Sequence, residues 1–497
     1  MQKRSSGVLL HISSLMGPYG IGCFGRDAMR FIDFLEKGGF RAWQVLPFSI
    51  PDGCNSPYKS VSAFAGNPLL IDPEQLFEEK LITKEELAGC RIGPSYAVDF
   101  TALRPQRRAL FHKAFRRRTP AIMEGMAAFR AQHPWLEDFA LYTALQEDTG
   151  KDWHDWEEPL RKRRPRALRA ASERLKDAVD EAVFLQYLFF TQWQKIHAYA
   201  REKGIEIIGD MPIYVSYESA DVWSNQHLFA LDEEGLPTEV AGVPPDFFSE
   251  TGQRWGNPLY DWAAMELDGF SWWIARLGSA AALFDRVRID HFRGFSAYWA
   301  VPAAAETAKE GQWLPGPGLK LFDALFREID PGAVIAEDLG VRDPLLEELL
   351  RKTGLPGMRV LQFAFLGQDD GIHLPHNYLP NTVAYTGTHD NNTLLGFLWE
   401  ITPKERAYCL DYCAFPGGDW KAGGADNPAI RSILRTLWAS PARLVMVPVQ
   451  DLLGFGADTK MNHPGVAEGN WEFRLTEEAF TRLDPSVYQH LSDLYNR

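Results

Sequence analysis

Cysteine is scarce in this chain of 497 residues, with five in all, at Cys23, Cys54, Cys90, Cys409 and Cys413. An odd and scattered set excludes a disulfide framework. Cys409 and Cys413 lie one helical turn apart, but no second pair or histidine partner follows at the spacing of a zinc site. Reduced thiols in a reducing compartment are the expectation. Long hydrophobic runs are also missing: no stretch approaches the roughly 20 apolar residues of a membrane-spanning helix. The opening MQKRSSGVLLHISS has only Val8–Leu10 as an apolar run, too short for a signal-peptide core. A cytoplasmic protein with no membrane partner is expected. A surplus of positive charge is lacking too, since the formal charge is −14, and a polyanion partner needs clustered cations. The one basic run, Arg161–Arg169, is flanked by Glu157, Glu158, Asp177 and Asp180 and reads as a solvated helix face. No nucleic-acid partner is expected.

What the chain does have is ordinary globular content and many rings. Hydrophobic residues make up 45%, charged residues 24% and aromatics 13%, with 16 tryptophans. Flat ring faces suit both a core and the apolar faces of sugars. Eight short apolar runs each end at a polar or turn-rich segment: Gly7–Ser13, Ala42–Phe48, Ile205–Pro212, Arg286–His291, Ala333–Gly340, Met358–Phe363, Thr382–Asp390 and Arg443–Asp451. Amphipathic helical patterns such as DAMRFIDFLEKGG and DPLLEELLRKTG lie between most of them. Alternating strands and helices imply a parallel sheet, and eight units imply an α/β fold of the (β/α)8 TIM-barrel type, in one domain over 1–497. A doubly wound sheet is the competing arrangement. Between the second and third strands, about 75–200 reads as a helical insertion.

Barrel enzymes carry their chemistry at the C-terminal ends of the strands. Those ends hold Asp210, Asp290, Glu337 and Asp390, beside Arg288, His291 and His389. A single acid there is commonly a cap or turn residue; four on four strands form a constellation. Glu337 follows the apolar Ala333–Ala336, so it lies deep, and burial raises a carboxyl's pKa. Arg288 precedes Asp290 by two residues, which on a strand puts both on one face. A guanidinium beside a carboxylate favours the charged form. One ionised and one protonated carboxyl are what retaining glycosyl transfer uses, as nucleophile and as acid. Asp390, His291 and His389 then remain to hold sugar hydroxyls.

A dinuclear metal centre is the main competing chemistry, but such centres commonly show H-x-H on one strand, and the chain has none. Each candidate histidine sits next to an aspartate, so on extended backbone their side chains diverge. Gly20–Gly25 spells G-x-G-x-x-G, yet six residues separate it from Ser13 and no acid closes the second strand, so a dinucleotide site is poorly supported. Neither metal nor cofactor is expected.

Four segments carry a family resemblance: GDMPIYV at Gly209–Val215, RVRIDHFRG at Arg286–Gly294, AEDLG at Ala336–Gly340 and TGTHDNNT at Thr386–Thr393. Three more are SLMGPYGIGCFG, NSPYKSVSAFAGNPLLI and PPDFFSETGQRWGNPLYDW. As a set they resemble the amylomaltase (4-α-glucanotransferase) family of the α-amylase superfamily, over Ser14 to about Arg474. The resemblance implies transfer of α-1,4-glucan segments between malto-oligosaccharides, with glucose as an acceptor. It makes Asp290 the nucleophile, Glu337 the acid/base and Asp390 the transition-state stabiliser. Asp210, Arg288, His291 and His389 would line the cleaved sugar's subsite. Tyr58 and Trp255 would stack on glucose rings, with Gln253, Asn462 and Pro464 as further contacts. Residues 244–256 would form a lid loop. Cys23 and Lys59 depart from the family's more usual Asp and Gln. An α-amylase-like hydrolase would use the same carboxylates, and a glycan-binding protein without activity would not need all three.

Overall fold

The computed structural model describes residues 4–497 except 52, 246–248, 341–342, 368–370 and 467. Eight parallel strands form one sheet: β1 Ser5–Leu9, β2 Ala42–Gln44, β3 Glu206–Met211, β4 Arg286–Ile289, β5 Val334–Ala336, β6 Gly357–Val360, β7 Thr382–Tyr385 and β8 Leu444–Pro448. Hydrogen-bonded neighbours run β6-β7-β8-β1-β2-β3-β4-β5. Chain order is thus kept around the ring, which is a barrel and not a doubly wound sheet. The gap between β5 and β6 is bridged by Ala336 N–H to Pro356 O at 3.0 Å and Met358 N–H to Asp338 Oδ1 at 2.6 Å. All eight expected strands are present, with earlier ends than the apolar runs imply.

The period of two along each strand sorts the core into two layers. Ile208, Ile335, Met358, Val360, Val383, Tyr385, Leu444 and Met446 meet inside the barrel. Ile207, Val287, Ile289, Ala384, Val445 and Val447 belong to the larger core outside it. Gly7 of β1 has no room for a side chain, because a Cβ there would lie 2.6 Å from Ala42 O and from Met446 Sδ.

From Pro73 to Glu202 the chain between β2 and β3 is mostly helices joined by turns. Its longest helix, Lys176–Glu202, buries Val183, Phe184, Phe189 and Trp193. It also buries two amide side chains with a positional task. Gln186 accepts from Gly66 N–H at 2.8 Å and donates to Gly66 O at 2.9 Å. Gln192 accepts from Asp72 N–H at 2.7 Å. Both hold the segment that follows β2, which carries Tyr58. Among the described residues, no helix is long and apolar enough to cross a membrane.

A second sheet was not foreseen. Gln253–Pro258, Glu239–Val243, Ala297–Pro302 and Gln312–Pro315 form four antiparallel strands in that spatial order. They are short and rich in Gly, Pro and Trp, so they lack the apolar alternation that marks a strand in sequence. The segment expected as a loop over 244–256 therefore ends in a strand from Gln253 onward, and 246–248 lie outside the described residues.

Replacing Gln186 by Leu removes both bonds to Gly66 and leaves two buried backbone groups unpaired, at about 1–3 kcal/mol each. The urea midpoint of the Gln186→Leu variant is expected to fall accordingly. An unchanged midpoint would mean that the loop carrying Tyr58 is held by other contacts.

Candidate active site

The parity of the barrel strands places the polar cluster. Asp210 comes two residues after the inward Ile208, and Glu337 two after the inward Ile335. Arg288 lies between the outward Val287 and Ile289, so it points inward and Asp290 follows on the same side. These side chains continue the apolar interior upward, and the site is built on the last layer of the barrel.

Arg288 is its centre. Nη1 donates to both Asp210 oxygens at 2.8 Å, Nη2 donates to Asp290 Oδ1 at 2.8 Å, and Nε faces Met358 Sδ at 3.4 Å. The Asp210 side chain is 0% exposed, whereas that of Asp290 is 30% exposed. Asp290 is thus both ion-paired and open to the cleft. The Tyr58 hydroxyl donates to Asp210 Oδ2 at 2.7 Å. Burial pushes the Asp210 carboxyl above the usual carboxylate range, with Arg288 opposing and the Asp290 charge adding.

Glu337 is 9% exposed and receives no bond from Arg288 among those described. Its oxygens accept backbone N–H groups instead, from Leu339 to Oε1 and from His291 to Oε2, each at 2.8 Å. Burial pushes this carboxyl up to about 7; Arg288 opposes, the Asp290 charge reinforces, and the two N–H bonds oppose. His291 adopts a left-handed backbone, φ +49°, which ends β4 in a tight turn. Its ring packs edge-on against Trp255, centroids 4.9 Å apart. Burial lowers the His291 imidazole to about 4, so it is neutral at pH 7.

The remaining residues arrive on loops. His389 Nε2 lies 3.3 Å from Asp390 Oδ2, which corrects the expectation that neighbouring His and Asp side chains diverge. β7 ends at Tyr385, and the chain from Thr386 turns, so the extended geometry behind that expectation does not hold there. Asn462 Nδ2 donates to Asp390 Oδ1 at 2.6 Å, and Asn462 N–H donates to His389 O at 3.2 Å. Desolvation works against the Asp390 charge, but His389 and Asn462 outweigh it and hold the carboxyl well below the usual range. The Tyr58 ring stacks on His389 at 4.9 Å and 20°. Trp255 is half-buried and donates Nε1–H to Gln253 Oε1 at 3.2 Å.

Of the twelve candidate residues, eleven are linked here by these contacts: Tyr58, Asp210, Gln253, Trp255, Arg288, Asp290, His291, Glu337, His389, Asp390 and Asn462. Pro464 is exposed in the turn beyond Asn462. Three residues of the cluster were passed over in the sequence. Gln44 accepts from the Tyr385 hydroxyl at 2.8 Å inside the barrel, and Trp471 packs against both Tyr58 and His389 at 5.6 Å. Gln44 and Tyr385 each stand two residues after an inward side chain, Ala42 and Val383, so strand parity was the available signal. Trp471 lies beyond the last strand and had none. Among the described residues, no three His, Cys, Asp or Glu side chains are grouped to hold a metal ion; the charge between Asp210 and Asp290 is that of the guanidinium.

Fold and site together define a (β/α)8-barrel enzyme of glycan chemistry, with one open ion-paired carboxylate beside one buried carboxyl. Residues 10–480 match the 4-alpha-glucanotransferase family. The 4-alpha-glucanotransferase of Thermus thermophilus is 48% identical over 484 residues, 95% of each chain. That of Arabidopsis thaliana, chloroplastic/amyloplastic, is 42% identical over 100% of this chain and 86% of its own. An amylomaltase from Streptococcus agalactiae, solved in complex with acarbose, matches all of both chains at 38% identity with a TM-score of 0.95. An amylomaltase from Corynebacterium glutamicum shares the fold, with a TM-score of 0.80 at 18% identity over 99% of this chain and 75% of that one. The chain belongs to the 4-alpha-glucanotransferase family, and its activity is 4-α-glucan transfer.

Arg288→Met should destabilise by about 3–5 kcal/mol, because it leaves the fully buried Asp210 charge uncompensated. Adding Asp210→Leu should restore much of the loss. Calorimetry on the single and double variants checks this, and a double variant no more stable than the single one would contradict it.

Proposed function

We propose that transfer runs as a retaining double displacement on α-1,4-glucans, with Asp290 as nucleophile and Glu337 as acid/base. Arg288 holds Asp290 Oδ1, which leaves Oδ2 to attack the anomeric carbon. Glu337 gives its proton to the glycosidic oxygen, the reducing-end segment leaves, and the glycosyl group stays on Asp290. The 4-hydroxyl of an acceptor sugar then attacks that carbon, Glu337 takes its proton, and the bond to Asp290 breaks. Asp390, paired with His389 and Asn462, stabilises positive charge developing on the sugar ring and binds its hydroxyls. Asp210, Arg288, His291 and His389 line the subsite of the cleaved sugar. Tyr58 and Trp255 offer rings to neighbouring glucose units, with Gln253, Asn462 and Pro464 at the edges. The observation that carries this reading is the contrast between ion-paired, open Asp290 and buried Glu337, whose carboxyl is raised to about 7.

Malto-oligosaccharides serve as donors and acceptors, and glucose as an acceptor. The complex of the Streptococcus agalactiae amylomaltase with acarbose supports a glycan cleft of this kind. Residues 244–256 act as a lid that limits water while an acceptor settles. Cys23, Cys90, Cys409 and Cys413 are buried free thiols, which fits a cytoplasmic setting.

Asp290→Asn should lower turnover by on the order of 10⁴-fold, since an amide cannot replace the attacking carboxylate. Glu337 holds its proton below about pH 7 and loses it above, so the glycosylation rate with maltotriose should fall as pH rises through about 7. Glu337→Gln should remove that alkaline limb and depress maltotriose turnover far more than glycosylation by a glycosyl fluoride, whose leaving group needs little protonation. Equal losses with both donors would take the acid role from Glu337.

Trp255→Ala should raise the ratio of hydrolysis to transfer, because an acceptor stacked on that ring is aligned for attack while water is not. Reducing-end release measured beside free glucose and longer maltodextrins gives the ratio. A constant ratio would leave Trp255 as a packing partner of His291 alone.

A further inference from the structure

Asp451 is a buried carboxylate that no step above uses. It stands on the short helix Val449–Leu452, directly after β8, and is 1% exposed. Its two oxygens accept from two points on a different segment. Oδ2 accepts from the Thr386 hydroxyl at 2.6 Å, and Oδ1 accepts from Leu394 N–H at 2.7 Å. Thr386 is the first residue after β7, and Leu394 opens the helix Leu394–Glu400. One side chain therefore ties both ends of the loop that carries His389 and Asp390.

The loop has other ties, but among those described Asp451 is the one whose single side chain bonds both Thr386 and Leu394. Thr388 N–H and its hydroxyl both donate to Asn391 Oδ1, at 2.9 and 3.0 Å, inside the loop. Gln362 holds the loop from β6, its backbone N–H donating to Thr386 O at 3.3 Å and its Nε2 donating to Asn392 O at 2.7 Å. Asn462 reaches Asp390 from beyond β8. Fixing both ends of a loop removes its freedom to translate over the barrel mouth, and a displacement of about 1 Å at a charge-stabilising group costs on the order of 10²-fold in rate. Supporting hydrogen bonds of this kind orient the groups that touch substrate. A carboxylate suits the task because it accepts only, in two directions, and the ends of the loop offer two donors. Burial pushes the Asp451 carboxyl up to about 7, against the bonds from Thr386 and Leu394; a group held under that cost has a positional use.

We propose that Asp451 is a positioning residue for the transfer reaction, bracketing the Thr386–Leu394 loop so that Asp390 meets the sugar at the right height. The inference rests on the role given above to Asp390. Asparagine can keep both contacts, with its oxygen accepting from Leu394 N–H and its amide donating to the Thr386 oxygen. Leucine keeps neither.

The experiment is kcat/KM for glucose release from maltotriose, and the glycosylation rate with maltosyl fluoride, in two backgrounds. In the otherwise unaltered chain, Asp451→Leu should lose on the order of 10²-fold, with Asp451→Asn within about 5-fold of the parent. In an Asp390→Asn background, Asp451→Leu should lose less than about 3-fold with the fluoride, because its effect passes through Asp390. Equal losses in both backgrounds would make Asp451 a general structural residue and overturn the proposal, as would an asparagine variant as damaged as the leucine one. Should Asp451→Leu fail to fold, Thr386→Val breaks one of the two ties with little change in volume. It should lose about 10-fold in the unaltered chain and nothing measurable beside Asp390→Asn; equal losses there overturn the proposal too. If Asp390→Asn itself retains full activity, the role of Asp390 has failed, and a remaining 10²-fold loss in Asp451→Leu then overturns the bracketing proposal as well.

Discussion

The guanidinium of Arg288 is the one charge around which the barrel mouth is organised. It lies on top of the apolar interior with its Nε against Met358 Sδ, and its other nitrogens reach Asp210 and Asp290. A buried cation is tolerated only where its charge and its N–H groups are answered. Asp210, fully buried, answers it from β3; Asp290, partly open, answers it from the end of β4. This pairing leaves Glu337 without a hydrogen bond from the guanidinium among those described. Its oxygens turn to backbone N–H groups, and burial then decides its proton affinity. Two carboxyls at one barrel mouth thus acquire different characters from one cation's reach.

Strand and loop share the site unequally. Asp210 lies within β3, while Asp290 and Glu337 each follow their strand by one residue, so their positions are set by barrel geometry. The left-handed turn at His291 is where β4 hands over to its loop, and that turn aims the His291 N–H at Glu337. The backbone beside the open carboxylate thereby fixes the buried one. Asp390 and His389 lack such support from a strand and are held by side chains from elsewhere: Asn462, Tyr58 and, at the loop's ends, Asp451. Preorganised groups stabilise charge best, so in the proposed mechanism the loop-borne pair depends on these ties for its position.

Much of this was legible in the sequence, and the reason is parity. Arg288 and Asp290 are two apart, as are Ile335 and Glu337, and a period of two with inward apolar partners announces a shared face. The same rule would have found Gln44 and Tyr385, which were passed over because neither is charged. Where the chain leaves regular structure, the rule stops. His389 and Asp390 are adjacent and were expected to diverge, yet a turn after Tyr385 brings them together. The four-stranded sheet that presents Gln253 and Trp255 went unseen because its strands carry Gly, Pro and Trp instead of alternating apolar residues. The contacts of Asn462 and Trp471 join segments far apart in the chain, and only a resemblance pointed to the first.

A proton affinity near neutrality at Glu337 fits transfer better than it fits hydrolysis alone. In transfer the bond broken and the bond made are of one kind, an α-1,4 link to a sugar oxygen. The leaving step and the return step are then near mirror images, and one group must give a proton in the first and take it in the second. A strong acid would serve only the giving, and a strong base only the taking. Rates of such coupled steps are best when the group's pKa lies near the working pH, and burial raises Glu337 to about 7 while Arg288 and two backbone N–H bonds keep it from rising further. The balance depends on Arg288 once more: its charge opposes the rise at Glu337 while it ion-pairs with Asp290. In the mechanism proposed above, the requirement that a reversible exchange places on its acid/base is met at Glu337 by the same guanidinium that closes the interior of the barrel.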